Sequence, residues 1–91
     1  MVAVKLLMKD NTLHSNNPKD IKGIGIAINK SCNIYAVVDL YNYLKENPNI
    51  KIQVKDTESY LIPVRATNGE MYIRSFPNKK MIDSLMNLPR V

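Results

Sequence analysis

One cysteine, one histidine, three glycines and no tryptophan among 91 residues remove several classes of function at once. Cys32 has no partner for an internal disulfide, whereas a secreted domain of this size is usually stapled by several bridges, so a reducing, cytoplasmic compartment is expected. With His14 and Cys32 as the whole supply, no Cys-x-x-Cys, His-x-x-x-His or Glu-x-x-His spacing exists to suggest a metal centre or a thiol–base pair. His14 reads as a loop histidine and Cys32 as an incidental thiol. The glycines of Lys22-Gly23-Ile24-Gly25 lack the third glycine and following helix of a dinucleotide fingerprint, and the Gly-Lys-Ser/Thr of a P-loop. A strand entry explains them better.

Acidic residues are scattered singly, and Asp56 and Glu58, which share one polar turn, suit hydration better than acid–base work. Long apolar runs are lacking too. The stretch from Met1 to Met8 is interrupted by Lys5 and is too short for a signal-peptide core or a membrane span, so it reads as a strand. No cofactor, no membrane association and no enzymatic activity are expected from this inventory.

What is present describes one small globular domain spanning 1–91. Hydrophobic residues make up 45% and charged residues 23%, the ordinary range for a folded chain with one modest core. Lysine and arginine number 13 against 8 acids, and the net charge of +5 favours polyanionic partners, although the same excess also serves solubility.

Residues 9–23 carry turn-forming side chains and no packing signal, so they read as a long loop, functional or mobile. Ile24, Ile26 and Ile28 alternate with small residues and give a strand, after which Lys30 to Asn33 turns the chain. Val37, Leu40, Tyr41 and Leu44 recur at i, i+3, i+4, i+7, which predicts a helix over 36–47, ended by Pro48. The alternation from Ile50 to Lys55 predicts a half-buried strand with Ile50, Ile52 and Val54 inward. Two further strands, 60–66 and 70–76, flank Asn68-Gly69, a strong hairpin signal.

With Asn68 and Gly69 as a two-residue loop, Ala66 pairs with Met71, Arg65 with Tyr72, Val64 with Ile73 and Pro63 with Arg74. Ile62, Val64, Ala66, Met71 and Ile73 then face the core; Leu61, Pro63, Arg65, Tyr72, Arg74 and Phe76 face outward. The tail, with Met81, Ile82, Leu85 and Leu88, predicts one or two helical turns docked on the sheet with Leu85 and Leu88 as anchors. The fold class is therefore α+β: a mainly antiparallel sheet of four to five strands, one packed helix and a short C-terminal helical turn. Ile52, Val64, Ile73, Leu40 and Leu44 are the expected centre of its core.

Two surfaces are candidates for function. On the outer hairpin face Arg65, Arg74 and Tyr72, joined by Lys51 and Lys55 of the preceding strand, suit an anionic ligand: arginine holds phosphate bidentately and rings stack on bases. Cross-strand Arg–Tyr pairs also stabilise ordinary exposed sheets. On the helix, Tyr35 and Tyr43 fall off the apolar stripe and are candidates for a protein interface, although most such tyrosines simply flank a core. Met81 and Met86 read as gap fillers.

The order of elements, with Val64-Arg65-Ala66-Thr67-Asn68-Gly69-Glu70-Met71-Tyr72-Ile73-Arg74-Ser75 followed by Leu85-Met86-Asn87-Leu88-Pro89, resembles a family of small uncharacterised domains of Gram-positive bacteria and their phages. That family typically carries a Gly-x-x-Tyr-Leu/Ile-Arg-Ser/Thr strand and an Asn-Leu-x-x-Leu-Pro tail. The resemblance covers Ile24 to Val91, and Ser84 stands where the tail usually has asparagine. It leaves Met1 to Gly23 as an N-terminal extension. It implies a compact β-rich domain and transfers no activity or site.

The functional expectation is a non-enzymatic interaction module that binds a protein partner or itself, most simply as a homodimer through an exposed edge strand or the Tyr35/Tyr43 surface. The alternative is a binder of a nucleotide or nucleic acid through the basic sheet face.

Overall fold

The computed structural model describes residues 1–77 and 83–91, so Met81 and Ile82 lie outside the described residues. The elements run β1 (Val2–Met8), a 3₁₀ turn (Pro18–Asp20), β2 (Ile21–Ile28), β3 (Ser31–Ala36), α1 (Val37–Glu46), β4 (Gln53–Val54), β5 (Tyr60–Arg65), β6 (Met71–Phe76) and a second 3₁₀ turn (Ser84–Asn87). The class is α+β as the sequence predicts, but the sheet has six strands, in the order β3-β2-β1-β4-β5-β6. It is mixed: β1 and β4 run parallel, and every other strand pair is antiparallel.

The N-terminal strand shows why its apolar run does not alternate. The β1–β2 ladder slips between Ala3 and Lys5 and again between Leu7 and Met8. The first slip leaves an extra residue in β1 and re-phases it, and the second leaves one in β2, as bulges do. Ala3, Leu6 and Met8 thereby all reach the core, against Ile26, Ile24 and Ile21 of β2.

The strand β3 is the main departure from the sequence reading. The chain turns at Asn29 and Lys30, with Asn29 at φ 57°, and Ser31 to Ala36 pair back along β2 without interruption. Asparagine tolerates that left-handed conformation better than most residues. Every residue of β3 is exposed, so no alternation of burial marked it as a strand.

Helix α1 follows directly and matches its expected limits. Leu40, Tyr41 and Leu44 are buried, and Asn47 closes the last turn with its side-chain amide donating to the Tyr43 carbonyl at 2.9 Å. The helix packs on β2 and β3 at one side of the sheet and on β5 and β6 at the other. Beyond it only Gln53 and Val54 form a regular strand, yet Ile52 and Val54 are buried and Ile50 is half-buried, so the inward face is as expected.

The hairpin closes on three residues instead of two. Ala66 N–H donates to the Glu70 carbonyl at 2.8 Å and Gly69 N–H to the Ala66 carbonyl at 2.9 Å, leaving Thr67, Asn68 and Gly69 as the loop. Gly69 alone takes positive φ, 89°, whereas a type I′ turn needs it at two positions. The register becomes Arg65↔Met71, Val64↔Tyr72, Pro63↔Ile73, Ile62↔Arg74 and Leu61↔Ser75. A shift of one residue inverts a strand's faces. Leu61 enters the core with Ile73, while Val64 is half-buried on the other face and is not part of the core as the sequence reading had it. Pro63 deprives the ladder of nothing: Leu61 directs its N–H away from β6, to the Ile52 carbonyl at 2.9 Å, and Pro63, two residues on, faces the same way.

The tail completes the sheet. The Leu6 N–H donates to the Pro89 carbonyl and the Val91 N–H to the Leu6 carbonyl, both at 2.9 Å, so the C-terminus extends the side of β1 that β4 covers only in part. Leu85 and Leu88 are the buried anchors expected of it, and Met86 is buried with them. Residues 9–17 form an ordered loop: Ser15 Oγ donates to the Asp20 carboxylate at 2.6 Å, and Arg90 donates to the Leu13 carbonyl at 2.5 Å.

Candidate functional site

At the β3 edge, exposed apolar residues gather beside the helix. Antiparallel pairing carries Ser31, Asn33 and Tyr35 on the same face as Ile28, Ile26 and Ile24, which is the face α1 covers. Helix α1 leaves a groove of about 340 Å³ over this end of the sheet, lined chiefly by Ile26, Ile28, Tyr35, Leu40 and Tyr43, with Asp39 as its one charged residue. Tyr35 and Tyr43, paired in the sequence as a helix surface, thus line one groove, although Tyr35 comes from β3 and only Tyr43 from α1. Ile34 lies on the opposite face of β3 and is exposed, as is Val38 on the first turn of α1.

The second candidate surface is rearranged by the hairpin register. Arg65 pairs with Met71 and Arg74 with Ile62, so the two arginines lie on opposite faces of the hairpin and form no common basic site. Lys55 is drawn away from the hairpin face. Its N–H donates to the Ala3 carbonyl at 3.0 Å, and its side chain lines a shallow depression with Ser84 and Pro89. Lys51 is brought to the hairpin, with its Nζ 4.6 Å from the Tyr60 ring centroid. Tyr72 shares its face with Arg74 and carries Lys19 Nζ at 5.5 Å from its ring centroid.

Phe76 is on the outer face as the sequence predicts, whereas Lys19 and Tyr60 are members of this face that the sequence reading missed. Tyr60 and Phe76 are cross-strand partners whose rings meet edge to face at 6.1 Å. An aromatic residue at either end of the 60–76 hairpin was a visible signal; the placement of Tyr60 on the face of Tyr72 depended on the register.

Cys32 is exposed on β3, and His14 lies in the 9–17 loop, where it lines a shallow cavity with Ser15 and Asp20. Among the described residues no group of three or more His, Cys, Asp or Glu side chains is arranged to hold a metal ion. Among them, too, no helix is long and apolar enough to cross a membrane.

No curated protein and no solved structure matches the chain. A family model does, and it begins at residue 1, so the first 23 residues are part of the family domain and not an extension to it. That agrees with the fold, in which β1 is a central strand and the first three residues of β2 lie within those 23. The model covers residues 1–89 and is described as a protein of unknown function, DUF3892, and the chain belongs to that family.

Proposed function

We propose that this chain is a non-enzymatic interaction module that self-associates through β3, two copies pairing their edges antiparallel into one continuous sheet. The observation that carries this reading is the state of that edge. Exposed strand edges are normally blunted by charge, proline, bulges or a covering element, because their unpaired N–H and C=O groups template further pairing. Strand β3 has six exposed residues, Ser31-Cys32-Asn33-Ile34-Tyr35-Ala36, with no charge, no proline and no slip against β2. The opposite edge, β6, carries Arg74 and is flanked by the Pro18–Asp20 turn.

A second copy suits this edge by symmetry and by charge. In an antiparallel pairing centred on Ile34, the Lys30 end of each strand lies alongside the Asp39 end of the other. Asn33 of each copy then faces Tyr35 of the other at the mouth of the apolar groove. The free thiol of Cys32 on the exposed edge supports a reducing, cytoplasmic setting. The Tyr72-to-Ser75 strand and the tail to Pro89 support a Gram-positive or phage origin.

Light scattering across the micromolar range tests the reading. A dimer mass is expected for the wild type and a monomer for Ile34→Lys, with the thermal midpoint of the variant confirming that it folds. A wild-type monomer at every concentration, or a dimer indifferent to Ile34→Lys, overturns it.

A further inference from the structure

We propose that the outer face of the β5–β6 hairpin, away from the β3 edge, is a binding site for single-stranded nucleic acid. The face opposite Leu61 and Ile73 carries the cross-strand rows Tyr60–Phe76, Ile62–Arg74 and Val64–Tyr72. Along β6 it therefore reads ring, guanidinium, ring: Tyr72, Arg74 and Phe76, each about 7 Å from the next. Tyr60 extends the aromatic end beside Phe76, with ring centroids 6.1 Å apart.

Lysine ammonium groups lie over the Tyr72 and Tyr60 rings, one toward each end of this row. Lys19 Nζ lies 5.5 Å from the Tyr72 centroid and Lys51 Nζ 4.6 Å from the Tyr60 centroid. Sequence-tolerant binding of single strands needs this combination: rings on which bases stack, and cations that follow the backbone between them. Arg74 is placed to take a phosphate in two hydrogen bonds while bases occupy Tyr72 and Phe76 on either side. Phe76, at 45% exposure, is the most open of the rings. A net charge of +5 draws a polyanion to the molecule as a whole.

Duplex DNA fits this face poorly, because its bases are stacked on one another and unavailable to the rings. The occupant is a single strand.

Fluorescence anisotropy of a labelled oligothymidylate of about a dozen nucleotides, at low salt of roughly 20 mM, reads the binding directly. Saturable binding is expected, weakening as salt rises. Arg74→Gln should lower the log–log salt slope by about 0.7, the loss of one phosphate contact on a single strand. Tyr72→Leu and Phe76→Leu should each weaken binding roughly 5- to 150-fold with the slope unchanged, because they remove stacking and no charge. Arg65→Gln removes the same charge from the opposite face and should change neither quantity. If Arg74→Gln lowers the thermal midpoint, Lys51→Gln, at an exposed lysine, serves in its place. No binding by the wild type, equal losses from Arg65→Gln and Arg74→Gln, or competition by a duplex as strong as by a single strand would each overturn the proposal.

Discussion

Ser75 and Asp83 are joined by the most concentrated set of side-chain hydrogen bonds among the described residues. The Asp83 carboxylate accepts the Ser75 backbone N–H at 3.1 Å and also its hydroxyl, and the same oxygen accepts the Leu85 N–H at 2.9 Å. Both residues are buried. Asp83 thus caps the Ser84–Asn87 turn and ties the tail to β6 in one step.

Asp83→Ala leaves the buried Ser75 N–H and hydroxyl without their acceptor, and each such group costs about 1–3 kcal/mol. A loss of about 2–4 kcal/mol in urea unfolding is expected. A loss under about 0.5 kcal/mol would mean that the tail is held by its apolar anchors alone.

The hairpin register is tested by two truncations read together. Leu61, fully buried, should lose about 2–5 kcal/mol on Leu61→Ala, and Val64, half-buried on the outer face, only about 1 kcal/mol on Val64→Ala. The reverse order would restore the two-residue loop. Ile52→Ala, in the shared core, should cost about 2–5 kcal/mol in either register.

Gly23 and Gly69 are required for different reasons. A Cβ on Gly23 would meet Ile34 Cγ2 at 2.9 Å and the Tyr35 carbonyl oxygen at 3.1 Å, so Gly23→Ala pushes β3 from β2 and should destabilise by about 1–3 kcal/mol. At Gly69 there is open space, and only its φ of 89° resists substitution, so Gly69→Ala should cost about 1 kcal/mol. Matched thermal melts distinguish the two, and a neutral Gly23→Ala would mean that β3 yields freely.

Arg90 spans the loop and the tail. Its guanidinium donates to the Leu13 carbonyl at 2.5 Å and to the Met86 carbonyl at 2.7 Å. Arg90→Ala should raise amide hydrogen exchange in residues 9–17 while the protection of β1 and β2 stays close to wild type. Uniform loss of protection would instead mark the tail as part of the global core.

Local patterns were readable where burial follows a short period. Leu40, Tyr41 and Leu44 marked the helix, Ile52 and Val54 the inward face of their strand, and Leu85 and Leu88 the tail anchors, because each sits in a regular element with one buried side. Strand β3 was hidden because nothing covers it, and Ser31-Cys32-Asn33 resembles a turn when no burial pattern contradicts it. In β1 the slip between Ala3 and Lys5 broke the alternation that would have sorted inward from outward. The Tyr35/Tyr43 groove needed a helix laid beside a strand whose existence was not visible.

The sequence by itself determined the α+β class, the helix and the apolar residues available to a core, since these follow from composition and short-range periodicity. Only the tertiary structure decided which face each β5 residue of the hairpin occupies. Asn68-Gly69 permits loops of two or three residues that differ little locally, and the choice between them falls to long-range packing: Leu61 enters the core and Val64 leaves it. That single residue of register separates Arg65 from Arg74 and brings Tyr60 of β5 to the face that Tyr72, Arg74 and Phe76 already share, because side chains alternate across a strand and a shift of one position exchanges its two faces.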